Sequence, residues 1–383
     1  MSEFDPISYS KASGNTEQLA TITNQVEYDK QAFVDQLSIE IGKYLAATST
    51  YKSNILAVGD SAVEGGGSTD PADKSYIGLL NKAVTMAQYG GYKDTLYIEY
   101  AATNGFVISG YTGTWAEEQN AYCTTGYGVL DSTAMAHRGW YKTTENAATM
   151  TIATYGLATK ILFASDGAIA GKTAGAISYS VNGGDPVAVE LSGSTLYKWV
   201  EIAAPGSSVN IVVTTDITAG EVVAIQCVML ASNLTGAHVI NFGTGGSQVR
   251  HWVERLSILD AFAPKMTLVG VGGNDMVNGV TTAQFIVSYR ALLTKLATLG
   301  PIVMLIYFPW LTADAGTLAL ITEYRAATKA LAEEFGATVI DFHDIVIDGA
   351  TMNAKGLMSD TIHPNDAGYY VLYQWLRKKL YLP

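Results

Sequence analysis

Two incompatible patterns of apolar residues divide this chain. From about residue 50 to 92, and again from 237 to 383, apolar runs of strand length alternate with segments of helical period. Strands are expected at 53–59, 238–242, 266–271, 301–308 and 337–341, and helices at 74–88, 248–262, 281–298, 316–335 and 366–380. Strands that alternate with helices build a parallel sheet covered on both faces, so its strands read as unbroken apolar runs. Between these stretches the texture changes. Short alternating runs follow one another at Thr149–Ala153, Lys160–Phe163, Ala176–Val181, Pro186–Leu191, Val209–Thr214 and Val222–Leu230. Turn clusters such as Asn182-Gly183-Gly184-Asp185-Pro186 and Ala204-Pro205-Gly206-Ser207 separate them. Short strands with frequent turns indicate a β-sandwich or jelly roll. The expected organisation is therefore an α/β unit split into 50–92 and 237–383, an inserted β-sandwich over 93–236, and a helical lead over 1–49. In the lead, Leu19, Ile22 and Val26, then Phe33, Leu37, Ile41 and Leu45, repeat at helical spacing. They suit either a helix lying on the body or an oligomerising stalk.

Composition narrows the partners. A hydrophobic content of 48% supports sizeable cores over 383 residues, whereas only 15% of residues are charged. Tyr, Ser, Thr and Gly must then cover much of the exterior. A net charge of −12 opposes nucleic acid and anionic membranes as partners. No apolar run is long enough to span a bilayer, so membrane insertion is not expected. The first residues have neither a basic start nor an apolar core, so no signal peptide is expected and synthesis in a cytoplasm is. Cys123 and Cys227 make no disulfide framework, and whether they pair stays open. The 23 tyrosines suit sugar handling or a β-rich module alike.

Three short segments carry chemistry. Val58-Gly59-Asp60-Ser61 closes the apolar run Ile55-Leu56-Ala57-Val58, and the loop Gly65-Gly66-Gly67 follows. Open α/β sheets bind ligands outside the carboxyl ends of their strands, where this serine falls. Gly272-Gly273-Asn274-Asp275 ends a second apolar run, and Asp360-Thr361-Ile362-His363-Pro364-Asn365 precedes the final helical segment. Each has a bland reading: a turn, a loop, and a helix start with Asn365 as N-cap. Their order and context together point to a site. A serine hydroxyl is a weak nucleophile until a base takes its proton. His363 suits that base, and Asp360 suits the group that fixes its tautomer and stabilises the imidazolium.

Serine, then asparagine, then aspartate and histidine three apart, in that order, resemble the SGNH (GDSL-type) hydrolase family. The resemblance implies a three-layer α/β/α, flavodoxin-like parallel sheet and a catalytic set of Ser61, Asp360 and His363, with no cofactor. It also implies an oxyanion hole made of the Ser61 backbone N–H, a glycine N–H and the Asn274 side-chain amide. The family's second block fits His238-Val239-Ile240-Asn241-Phe242-Gly243-Thr244-Gly245-Gly246-Ser247. Gly246 matches the donor glycine best, Gly245 lies one register away, and Gly105 and Gly110 compete.

Other motifs carry less. His137, His238, His251 and His343 form no metal-ligand spacing, so no metal is expected. His343 with Asp341 or Asp344 is a rival acid–base pair. Gly167-Ala168-Ile169-Ala170-Gly171-Lys172-Thr173 has three residues between its glycines where a P-loop has four, and reads as a hairpin loop. No Gly-x-Ser-x-Gly elbow occurs.

The insertion refines the resemblance. SGNH hydrolases interrupted by a small β-sandwich look like carbohydrate esterases, including those on bacteriophage tail proteins. This implies a serine esterase that removes O-acetyl groups from a polysaccharide of capsule or O-antigen type. It further implies a virion tail setting and a homo-oligomer, a trimer if so. Trp115, Tyr122, Tyr127, Trp140, Tyr141 and Trp199 suit a sugar platform or a core, with Trp115 and Trp140 the first candidates for substrate contact. A lipolytic esterase or thioesterase is the alternative within the family. A receptor-binding protein with a docking role is the alternative outside it, opposed by the complete catalytic set.

Overall fold

Gly59 is where the first strand stops being buried wall and becomes the floor of a site, and the architecture is easiest to follow from there. The computed structural model describes residues 52–89, 106–113, 116–119, 139–155, 158–164, 173–193, 197–201, 208–231, 236–254, 256–260, 264–307, 315–345 and 349–380. The expected helical lead, Trp115, Cys123 and Gly105 lie outside them. Strand β1 (Lys52–Gly59) runs into a single turn, α1 (Ser61–Glu64), then α2 (Pro71–Lys74) and α3 (Tyr76–Tyr89).

The insert follows as β2 (Phe106–Thr112), β3 (Ala116–Gln119), β4 (Gly139–Thr143), β5 (Thr149–Tyr155), β6 (Ala158–Ala164), β7 (Thr173–Ala174), β8 (Ala176–Val181), β9 (Val187–Glu190), β10 (Tyr197–Glu201), β11 (Ser208–Asp216) and β12 (Glu221–Ala231). It forms two sheets. One has the antiparallel order β2-β5-β11-β8-β9; the other runs β10-β6-β12-β4-β3, antiparallel, with β7 added parallel to β12. Their facing sides share one core, Met150, Ile177, Ile211 and Val213 from the first meeting Phe163, Val200, Val223 and Ile225 from the second. That is a sandwich.

The α/β part resumes with β13 (Gly236–Gly243), α4 (Val249–Glu254), α5 (Leu256–Leu259), β14 (Pro264–Gly270), α6 (Gly273–Val277), α7 (Thr282–Ala297), β15 (Ile302–Ile306), α8 (Ala315–Phe335), β16 (Thr338–Asp341), α9 (Gly349–Ala354) and α10 (Asp366–Lys379). Within the helix expected at 248–262, the described residues form α4 and α5. The sheet order is β13-β1-β14-β15-β16, all parallel. Counted along the α/β part this is 2-1-3-4-5, the flavodoxin-like doubly wound order, whose ligand crevice opens at the switch point between β1 and β14.

Alternation within each strand feeds both faces. Leu56 and Val58 pack with Trp252, Phe285, Tyr289 and Tyr324, while Ile55 and Ala57 pack with Tyr76, Leu80, Tyr369 and Leu372. Helices α4, α7 and α8 thus cover one face, and α3 and α10 the other. The insert is not loosely hung. Ala224 of β12 is buried in the first of these clusters, and Trp199 of β10 packs against it. Trp199 therefore packs between the sandwich and the α/β part. Among the described residues no helix is long and apolar enough to cross a membrane.

Candidate active site

Three adjacent strands end in glycine at one level. Gly59 of β1 is in register with Gly243 of β13 and Gly270 of β14. The turn α1 lies across them so closely that side chains are excluded. A Cβ on Gly59 would meet Val63 Cγ2 at 2.2 Å, and one on Gly243 would meet the Glu64 backbone nitrogen at 2.2 Å. Asn241 holds the turn down, its amide donating to the carbonyls of Val63 (2.9 Å) and Glu64 (3.3 Å) while its oxygen accepts the Gly243 N–H (3.0 Å). Asp60 caps the turn by accepting the Ala62 N–H at 3.0 Å. Gly65 closes it at φ +102°, its N–H donating to the Ser61 carbonyl.

On this floor Ser61 Oγ lies 2.8 Å from His363 Nε2, and His363 Nδ1 lies 2.7 Å from Asp360 Oδ2. The second Asp360 oxygen accepts the backbone N–H groups of Ile362 and His363, each at 2.7 Å. Partial burial would raise the Asp360 carboxyl, but the His363 ring and these two N–H groups hold it below the ordinary range. It therefore stays ionised against the imidazole and fixes the ring.

Asn274, in α6 just past β14, donates its side-chain amide to the Ser247 carbonyl at 3.1 Å. Ser247 in turn donates Oγ to the Gly59 carbonyl (3.0 Å), and Thr244 N–H reaches the same carbonyl (2.9 Å). The turn holding Gly245 and Gly246, with Gly246 at φ +77°, is thus stitched between Asn274 and the strand that carries Ser61. The competing Gly110 lies in β2 of the sandwich, paired with Thr151. Asp275 next to Asn274 accepts the Val249 N–H (3.1 Å), and burial pushes its carboxyl up to about 6 against that bond.

Asp341 is engaged by Arg325 (2.7 Å) and Lys329 (2.8 Å), and burial pushes the His343 imidazole down to about 4. Trp140 lies in β4 of the sandwich.

Several residues the motifs did not single out shape the site. Burial pushes the Asp60 carboxyl up to about 7, with the nearby charges of Asp275 and Glu64 adding to the rise and the Ala62 N–H opposing it. Tyr369 of α10 donates its hydroxyl to the Gly66 carbonyl at 2.7 Å. Asp366 gathers Ser68, Thr69 and Lys74. The contacts of Tyr369 and Asp366 are long-range, with no local pattern to announce them; Asp60 and Asn241 lay inside quoted motifs but were not singled out for these roles.

Residues 218–371 match the sequence model of the GDSL-like Lipase/Acylhydrolase family. The match takes in Asn274, Asp360 and His363 and begins beyond Ser61, because the insert separates the first strand from the rest. No curated protein sequence matches the chain. Among solved structures, a peptidoglycan O-acetylesterase superposes with a TM-score of 0.59 at 14% identity, covering 90% of this chain and 96% of its own. At that identity the likeness is one of fold, and its extent takes in the sandwich as well as the α/β part. An acetylxylan esterase from Geobacillus stearothermophilus has a TM-score of 0.35 at 19% identity, over 39% of this chain and 74% of its own. A family two carbohydrate esterase from Clostridium thermocellum has 0.28 at 11%, over 63% and 95%. That family match lies on a 2-1-3-4-5 sheet that brings Ser61 beside His363, so the α/β part has the fold of the SGNH hydrolases and is similar, over residues 218–371, to the GDSL-like lipase/acylhydrolase family.

Proposed function

We propose that the protein is a serine esterase that removes O-acetyl groups from a polysaccharide. The unbroken hydrogen-bond chain from Ser61 through His363 to Asp360, at 2.8 and 2.7 Å, carries the reading. His363 Nε2 takes the hydroxyl proton as Ser61 Oγ attacks the acetyl carbonyl, and Asp360 stabilises the imidazolium that results. The Ser61 N–H, the Gly246 N–H and the Asn274 amide meet the oxyanion; one such donor contributes roughly 3–4 kcal/mol to the transition state. His363 then gives its proton to the departing sugar oxygen, and water releases acetate from Ser61 by the same steps in reverse roles. The polymer side of the reading is supported by the peptidoglycan O-acetylesterase that shares the fold. The low charge and the tyrosine-rich composition suit a capsule or O-antigen substrate met by a virion tail protein.

The test is acetate release from a panel of acetylated polymers: capsular polysaccharide, O-antigen and peptidoglycan. A tail protein is expected to act on one of the first two. Ser61→Ala should lose several orders of magnitude on polymer and on a small aryl acetate alike, leaving only what binding and the oxyanion donors supply. More than about a tenth of the wild-type rate remaining in Ser61→Ala would remove the serine from the mechanism. Sustained activity on acyl chains well beyond about four carbons would favour a lipolytic esterase instead.

A further inference from the structure

We propose that Asp366 is a positioning residue: its carboxylate straps the loop after Ser61 to the start of α10, and so sets where His363 stands relative to the nucleophile. This rests on the reading of Ser61 and His363 as nucleophile and base. Asp366 Oδ1 accepts the Thr69 N–H (2.8 Å) and the Ser68 hydroxyl (3.0 Å). Asp366 Oδ2 accepts the Thr69 hydroxyl (2.7 Å) and Lys74 Nζ (3.0 Å), and Lys74 also donates to Thr69 Oγ1 (2.6 Å). The bond partners are 292 to 298 residues apart in sequence, so no local preference supplies this geometry.

What the strap holds is a wall of the site. The inner side of the loop touches the base itself. A Cβ on Gly66 would lie 3.0 Å from His363 Cδ2 and 3.2 Å from Nε2; one on Gly67 would lie 2.8 Å from His363 Cβ and 2.6 Å from the Pro364 carbonyl. The His363 ring therefore rests against bare loop backbone, and the place of that backbone decides the place of Nε2. Three successive glycines have no stiffness of their own. Backbone bonds close the turn itself, Gly65 and Gly66 N–H on the Ser61 carbonyl and Ser68 N–H on the Gly65 carbonyl; from outside, the Tyr369 hydroxyl on the Gly66 carbonyl and Asp366 at the loop's far end hold it against α10. Both belong to the first turn of α10, which follows His363 directly. The helix that presents the base thus also fixes the wall that the base leans on.

An exposed ion pair alone would matter little, and Lys74 and Asp366 are each partly open to solvent. The geometry of the three loop bonds is what matters, since a displacement of about 1 Å at reacting groups costs on the order of a hundredfold. Asp366→Ala is expected to lower kcat on a small aryl acetate about 10- to 100-fold, with KM changed by less than about threefold. Its Ser61 should react with a small organophosphonate more slowly by the same factor. Lys74→Ala, which removes the ion pair and the Lys74 bond to Thr69 Oγ1 but leaves the three loop bonds of Asp366, should stay within about twofold of wild type. Ser68→Ala/Thr69→Val leaves α10 intact and should reproduce the kcat loss; combining it with Asp366→Ala should add nothing further. All rates are read well below each variant's Tm. Wild-type kcat in Asp366→Ala, or in Ser68→Ala/Thr69→Val should Asp366→Ala not fold, overturns the positioning role even if Tm has fallen. Ser61→Ala run alongside separates the two readings. If it is inactive while Asp366→Ala turns over normally, only the strap is wrong; if it is active, the nucleophile assignment is.

Discussion

Asp60 sits beside the nucleophile and is pulled in two directions. Its cap on the Ala62 N–H favours the carboxylate, but complete burial beside Asp275 and Glu64 lifts its carboxyl to about 7. An acid whose folded value is raised holds its proton in the native state while the unfolded chain has released it. Stability from this group is therefore fully present below about pH 4, is lost as pH climbs to about 7, and is level above that. The span corresponds to on the order of 3–4 kcal/mol. Asp60→Asn keeps an acceptor for Ala62 and cannot ionise. Its Tm relative to wild type is expected to rise between pH 5 and pH 8; a constant difference across that range would mean that Asp60 does not titrate there. At this scale the proposed reacting groups could be named from the sequence and their supports could not. Ser61, Asn274, Asp360 and His363 announce themselves because chemistry demands those residue types beside strand ends. Asp60, Asp366 and Tyr369 act through burial and through partners hundreds of residues away.

The glycine floor works by what it leaves out. Because α1 lies on Gly243 at backbone contact and on Gly59 and Gly270 through the Val63 side chain, the serine is lowered to the sheet rather than held above it. Gly243→Ala places a methyl 2.2 Å from the Glu64 nitrogen, a backbone atom that cannot swing aside. It should cost more than about 3 kcal/mol, the upper end for overpacking, and lower kcat in whatever protein still folds. Wild-type stability in Gly243→Ala would show that the turn is free to lift. The strands of the α/β part were readable from their apolar runs because helices bury them on both faces. Strands β2, β3, β4, β7 and β10 of the sandwich were not read; β2, β3 and β10 are sheet edges, whereas β4 lies between β12 and β3. An edge has neighbours on one side only and tolerates charge, as in Ala116-Glu117-Glu118-Gln119. Gly110 and the irregular register beside it hide β2 in the same way.

For the molecule as a whole, the insert leaves the α/β part after α3 and re-enters as β13, which pairs with β1 from Lys52↔Gly236 to Gly59↔Gly243. The Val239 N–H on Asn81 ties that return to α3. The sandwich is thus anchored to the strand that runs into the Gly246 turn, and Trp199 and Ala224 seat it on the α/β core. A module anchored there is well placed to grip polymer. Binding energy from sugars remote from the ester would then raise turnover on polymer alone. Alanine at Trp115 and Trp140 is expected to lower acetate release from polysaccharide about tenfold while hydrolysis of a small aryl acetate persists. Parallel losses, or none, on both substrates would make the sandwich a stabilising module only.

The 302-residue separation between Ser61 and His363 has a consequence for how the protein is made. A ribosome adding about 5–20 residues each second needs roughly 15–60 s to travel from the serine codon to the histidine codon. Throughout that interval the growing polypeptide displays a nucleophile with no base, beside a loop with nothing to lean on. The sandwich has time to assemble first, and esters in the cell that makes the protein meet a chain without its base until the histidine has been added.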